Sequence, residues 1–125
     1  MNTLKFTLEK DKKKVTARFS TFSLDISRFY DKLRDIESGT ELIFGIRPSD
    51  ITIQPEGKDR QRIEATVYTM EPMGADTVMN LKVGDDIIKT KIPATLKFDI
   101  DQRLYISFNE EAIHLFDTKT ERAIL

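Results

Sequence analysis

The sequence predicts an all-β fold with one short helix, a small β-barrel of about eight to ten short strands. Apolar residues alternate with polar ones along most of the chain, as Leu4, Phe6 and Leu8 do near its start. This period of two is that of a half-buried strand, whose successive side chains point to opposite faces. Glycine, proline and acidic residues interrupt the alternating runs at short intervals, which indicates short strands joined by tight turns.

Composition sets limits on the function. The 125 residues include no cysteine, and 20 Lys and Arg residues face 21 Asp and Glu residues, for a formal net charge of −1. This length predicts a single domain over residues 1–125. The lack of cysteine excludes disulfides and thiolate metal sites, and the balanced charge favours neither nucleic acid nor an anionic membrane as main partner. No apolar run approaches the roughly 20 residues that cross a bilayer, and no secretory h-region precedes the first strand, which predicts a cytoplasmic protein.

The first predicted strands form a hairpin, with residues 11–14 turning the chain. Apolar residues occupy odd positions from Val15 to Phe19 and even positions from Phe22 to Ile26. A change of phase exchanges the two faces of a strand, so a turn or a bulge is predicted at residues 20–21.

One helix is predicted at about residues 28–38, between the strands. Its apolar residues recur at helical spacing, at Phe29, Leu33 and Ile36. Ser27 suits the N-cap, and Gly39 suits the left-handed position that follows a helix C-terminus.

Further alternating runs follow the helix, separated by turn signals. The clearest hairpin spans residues 83–87, where Gly84 supplies a positive φ. Residues 54–62, polar and containing Pro55 and Gly57, are predicted to form a mobile loop. Residues 44–51 and 106–113 share one plan, a strand, a tight acidic turn and an apolar return. Duplication and chance both explain this internal repeat.

Groups for catalysis or metal binding are scarce, so the chain is predicted not to be an enzyme. His114 is the single histidine, between two apolar residues of a strand pattern, and zinc sites without cysteine need several histidines and carboxylates. Neither Gly-x-Ser-x-Gly nor the Gly-x-x-x-x-Gly-Lys-Ser/Thr phosphate loop occurs. Basic clusters at residues 12–14 and 58–62 lack exposed stacking aromatics beside them, because the nearby phenylalanines fall on apolar faces.

Three motifs in register give the sequence a specific resemblance. They are Gly45-Ile46-Arg47-Pro48-Ser49-Asp50, Glu71-Pro72-Met73-Gly74 and His114-Leu115-Phe116-Asp117. The chain resembles the C-terminal, transport-associated OB-type domain of ATP-binding subunits from sugar-importing ABC transporters, of the maltose and glycerol-phosphate importer type. Ser49 stands where that family usually has glutamate, and Met1-Asn2 is similar to its junction after the nucleotide-binding domain.

The resemblance implies an OB-like barrel of two interleaved parts that serves as a non-catalytic regulatory and dimerisation domain. It implies no cofactor in this chain, with ATP and Mg²⁺ bound by a nucleotide-binding domain that lies outside it. Implied partners are a second copy, the transporter's membrane subunits through the parent ATPase, and a regulatory protein. They do not include nucleic acid, and the domain would lie at the inner face of the cell membrane without inserting. Two alternatives remain, an oxyanion-binding barrel, with Ser20-Thr21 and Thr90-Lys91 as candidate groups, and an oligonucleotide-binding barrel.

The signature residues also have physical interpretations, mainly structural ones. Gly45 is expected to allow close approach of a neighbouring strand, and Pro48 ends a strand because it lacks an N–H. The Arg47 guanidinium is expected to fasten the turn through a carboxylate such as Asp50 or Glu71.

The last motif is expected to close the core. Leu115 would point inward, leaving His114 and Phe116 on the opposite face. Phe116 is then either part of a partner surface or packed beneath the C-terminal tail. Gly74 serves the turn after Pro72.

Overall fold

A computed structural model describes residues 1–54 and 62–125, which form ten strands and three 3-10 helices. The strands are β1 (Asn2–Asp11), β2 (Lys14–Arg18), β3 (Ser23–Asp25), β4 (Glu41–Ile46), β5 (Ile51–Gln54), β6 (Ile63–Met73), β7 (Asp76–Val83), β8 (Asp86–Pro93), β9 (Arg103–Phe108) and β10 (His114–Asp117). The 3-10 helices are Ser27–Phe29, Pro48–Asp50 and Glu110–Ala112. The predicted loop at residues 54–62 and most of the basic cluster at 58–62 fall outside the described residues.

The strands form two five-stranded sheets, ordered β10-β4-β1-β2-β3 and β5-β9-β6-β7-β8. Burial follows the predicted alternation. In β1, for example, Leu4, Phe6 and Leu8 are buried while Thr3 and Lys5 are exposed. The predicted all-β, OB-like class is confirmed, and period-two alternation is the signal that carries it.

The described chain groups into two compact units, each discontinuous in sequence. One unit contains residues 1–2 and 46–112, and the other contains residues 3–45 and 113–125. The resemblance also implies two parts that are interleaved in the sequence. The assignment of residues 1–125 to one domain stays a prediction.

The predicted turns are confirmed where the structure describes them. Gly84 has φ +60 in a two-residue connection, since Val83 pairs with Asp86. The phase change after Phe19 is a turn closed by a 2.9 Å hydrogen bond from the Phe19 N–H to the Phe22 carbonyl. Lys12, in the β1–β2 turn, has φ +58.

The helix predicted at about residues 28–38 is wrong, because the segment forms only the 3-10 helix Ser27–Phe29 followed by turns to residue 35. Most of its backbone hydrogen bonds join residues three apart, as from Tyr30 N–H to the Ser27 carbonyl at 3.0 Å. Leu33 is fully buried, whereas Phe29 and Ile36 are half-buried. Short helices are stabilised mainly by burying an apolar face, and a single fully buried residue provides too little of it.

The predicted caps of that helix have other roles. Ile26, not Ser27, occupies the N-cap, because the Ser27 hydroxyl accepts a 2.8 Å hydrogen bond from the Val15 N–H of β2. Gly39 does take a left-handed conformation, with φ +95, and its N–H donates to the Leu8 carbonyl at 2.6 Å. Both residues therefore anchor loops to β1 and β2.

The internal repeat corresponds to two equivalent strand–3-10–strand crossovers. One is β4, the 3-10 helix Pro48–Asp50 and β5, and the other is β9, the 3-10 helix Glu110–Ala112 and β10. Their pairings match as well. His114 lies opposite Gly45 in one pair of strands, and Thr52 lies opposite Ser107 at the corresponding places in the other. The shared register favours duplication over chance, since chance similarity of residues does not require equivalent pairing.

Candidate functional site

The first signature motif forms the crossover from β4 to β5. Pro48 begins the 3-10 helix, as its fixed φ and missing N–H favour. The Thr90 hydroxyl donates to the Pro48 carbonyl at 3.4 Å, and the Asn109 N–H donates to the Asp50 carbonyl at 2.9 Å. The Asp50 N–H donates to the Arg47 carbonyl at 2.9 Å. The turn is therefore closed mainly by backbone groups.

The side chain of Arg47 is exposed and has no hydrogen bond or ion pair with any other described residue. The predicted contact with Asp50 or Glu71 is not formed. Backbone hydrogen bonds already close the turn, so the guanidinium is not needed to fasten it.

The second motif forms the β6–β7 hairpin. Gly74 has φ +80, and a Cβ there would meet no atom within 4 Å. The conformation, not the space, is what favours glycine. Pro72 lies within β6 opposite Thr77, and Glu71 lies opposite Val78. The turn follows Met73, the last residue of β6, and consists of residues 74–75. Glu71 and Pro72 are exposed.

The third motif is β10, which pairs with β4. Leu115 is fully buried, as predicted for the residue that closes the core. His114 and Phe116 are half-buried on the opposite face, with ring centroids 6.3 Å apart. Gly45, opposite His114, is buried and brings no side chain to this pair.

Phe116 is half-buried beside the C-terminal tail, whose backbone pairs with β10. It forms a β-bridge with Ala123, and the C-terminal tail continues along β10. The Ile124 N–H donates to the Leu115 carbonyl at 2.7 Å, and the Asp117 N–H donates to the Arg122 carbonyl at 2.9 Å. Both interpretations of Phe116 stay predictions.

The signature residues fall in both units. Those at residues 46–50 and 71–74 belong to one unit, and Gly45 with residues 114–116 belongs to the other. Among the described residues, no group of three or more His, Cys, Asp or Glu side chains is placed to hold a metal ion. The described residues also contain no helix long and apolar enough to span a membrane.

Sequence reasoning missed an exposed apolar pair in the unit of residues 46–112. Tyr68 and Ile100 are each 53% exposed, and the register of β6 against β7 shifts between Val67 and Thr69. The Asp101 N–H donates to the Val67 carbonyl at 2.8 Å, which brings the two segments together. A bulge re-aims the side chain at its centre, and alternation alone does not reveal where it lies.

A second missed feature is an open groove of about 540 Å³ on the polar face of β1 and β2, lined by side chains of both charge signs. Arg18 pairs with Glu9 there at 2.8 Å, and the Lys10 ammonium donates to the Arg34 carbonyl at 3.0 Å. The opposing charges do not select a ligand of one sign.

The third missed feature is Asn2. Its amide nitrogen donates to the Lys89 carbonyl at 2.7 Å, and its amide oxygen accepts from the Lys89 N–H at 2.8 Å. The resemblance of Met1-Asn2 to a family junction predicts no hydrogen bond between Asn2 and β8.

These features define an all-β fold of OB-like class. The chain belongs to the TOBE domain family, whose model matches residues 44–116. It is 35% identical over 86 residues to the sulfoquinovosyl glycerol transport ATP-binding protein of Agrobacterium fabrum, covering 69% of this chain and 24% of that protein. It is 33% identical to the xylose/arabinose import ATP-binding protein of Haloferax volcanii, covering 66% and 23% respectively. The predicted resemblance is therefore confirmed, and the chain spans about a quarter of these relatives.

The fold also resembles a solved structure. The cytoplasmic molybdate-binding protein ModG superposes with a TM-score of 0.67, covering 91% of this chain and 94% of that one, at 13% sequence identity. This similarity concerns the fold.

Proposed function

We propose that the chain is a non-catalytic regulatory and dimerisation domain of the ATP-binding subunit of an ABC importer for sugars or related solutes. The observation that carries this proposal is the family match over residues 44–116, together with relatives named as sugar-import ATP-binding proteins. ATP and Mg²⁺ would bind the parent subunit outside this chain. The domain would lie in the cytoplasm. The parent subunit would hold it at the inner face of the membrane by binding the transporter's membrane subunits.

The exposed pair Tyr68 and Ile100 supports contact with a second copy. A stable two-fold interface needs about 800 Å² per partner with an apolar centre. Aromatic residues are enriched at such centres. Backbone hydrogen bonds between Val67 and residues 101–102 hold the two segments together, so little backbone entropy is lost when the pair is covered.

Sedimentation equilibrium of the chain tests the dimerisation role. A monomer–dimer equilibrium is expected below about 100 μM, and Tyr68→Glu should shift it toward monomer. Lys82→Glu, an exposed charge change on β7, is the control and should leave self-association unchanged. A wild-type chain that is monomeric throughout this range contradicts dimerisation.

The fold shared with a molybdate-binding protein supports oxyanion binding as a second candidate. Two of the groups suggested for it are engaged elsewhere, since the Thr90 hydroxyl donates to the Pro48 carbonyl and Lys91 pairs with Asp76 at 3.6 Å. The other two, Ser20 and Thr21, are exposed. Thermal unfolding with molybdate, tungstate, sulfate and sugars separates the candidates. A saturable rise in Tm with an oxyanion supports the receptor, and no shift at millimolar ligand supports the regulatory domain.

A further inference from the structure

The Asn2 side chain occupies hydrogen-bonding groups at the edge of a sheet. β8 is the last strand of its sheet, so one side of its backbone has no strand partner. The Asn2 amide meets both backbone groups of Lys89, donating at 2.7 Å and accepting at 2.8 Å. A side-chain amide carries the same donor and acceptor as a peptide group, so Asn2 takes the place of one residue of an added strand.

These two bonds join segments 87 residues apart in the sequence. Residues 1–2 group with residues 46–112, whereas the chain from residue 3 belongs to the other unit. Met1 is 58% exposed. The Asn2 amide therefore provides the side-chain hydrogen bonds that attach residues 1–2 to β8.

Asparagine suits this position better than aspartate or alanine. An ionised aspartate accepts from the Lys89 N–H but cannot donate to the Lys89 carbonyl. Alanine makes neither bond. The requirement for both a donor and an acceptor explains why an amide stands here.

We propose that Asn2 is a latch that holds the first residues of β1 against the edge of β8. In an ATP-binding subunit, the latch would set where the nucleotide-binding domain is carried, a consequence that rests on the proposed function. The latch also covers part of an edge that could pair with another strand, and the exposed Lys89 and Lys91 side chains discourage pairing elsewhere along it.

Nuclear magnetic resonance of the 125-residue chain tests the latch directly. In Asn2→Ala, the Lys89 amide should exchange with solvent about fivefold faster, the change expected from loss of one hydrogen bond. The backbone order parameter at residues 2 and 3 should fall from about 0.85 to below about 0.6. Thr3→Ala, an exposed neighbour, is the matched control and should change neither quantity. Unchanged exchange and order in Asn2→Ala would overturn the proposal.

Asn2→Asp provides a second test within one folded variant. When protonated, at about pH 3 or below, the carboxylic acid has both a donor and an acceptor, so residues 2 and 3 should be as ordered as in the wild type. When ionised at pH 7, it still accepts from the Lys89 N–H but loses the bond to the Lys89 carbonyl, so the backbone order parameter at residues 2 and 3 should fall. Wild-type protein at both pH values is the control. An Asn2→Asp variant with no such pH dependence contradicts the latch, whereas failure of self-association contradicts only the proposed dimerisation.

Discussion

Substitutions along β10 test whether its signature residues are scaffold or surface. Leu115 is fully buried and lies opposite Phe44, so Leu115→Ala removes core contacts and leaves a cavity. Such changes cost about 3 kcal/mol in the free energy of unfolding. Unfolding of 125 residues has an entropy of about 0.26 kcal/mol/K. The expected fall in Tm is therefore about 11 °C.

Phe116→Ala is the matched comparison on the same strand. Its ring is half-buried beside the His114 ring, so the expected cost is about 1 kcal/mol, or about 4 °C in Tm. Circular dichroism during thermal unfolding measures both variants. Equal losses for Leu115→Ala and Phe116→Ala would refute the assignment of inner and outer faces.

Three further substitutions test individual contacts by the same measurement. Gly74→Ala should lower stability by about 1 kcal/mol because its φ of +80 strains an L residue, and an unchanged Tm contradicts that reason. Arg47→Ala should shift the Tm by less than about 2 °C, since its guanidinium has no partner among the described residues; a larger loss would restore the fastening role. Ser27→Ala should cost about 1 kcal/mol by freeing the Val15 N–H, and an unaffected variant would show that water replaces the hydroxyl.

The strands and turns were predictable because their signals are local. Alternation around Leu4 and Phe6 identifies β1, and Gly84 marks a tight hairpin. The resemblance was also readable from short motifs, because the residues of each motif are contiguous.

The helix was mispredicted because spacing does not reveal how much core a face meets. Phe29, Leu33 and Ile36 have helical spacing, yet only Leu33 is fully buried. The sequence shows the spacing of the apolar residues but not how deeply each one is buried in the core. Tertiary contacts therefore overrode the local helix propensity.

Long-range contacts of single side chains were beyond reach from the sequence. The Asn2–Lys89 pair depends on which strand lies at an edge, and β-strand order follows from the whole topology. The predicted Arg47 contact is not formed, because exposed ion pairs are worth little and closeness in the sequence does not fix one.

Hydrogen–deuterium exchange at several protein concentrations tests the central claim most directly, namely that this domain works by contacting a second copy. Backbone amides around Tyr68 and Ile100 should become more protected between about 1 and 100 μM, with little change in β2. Exchange that is independent of concentration at every described segment would contradict the claim.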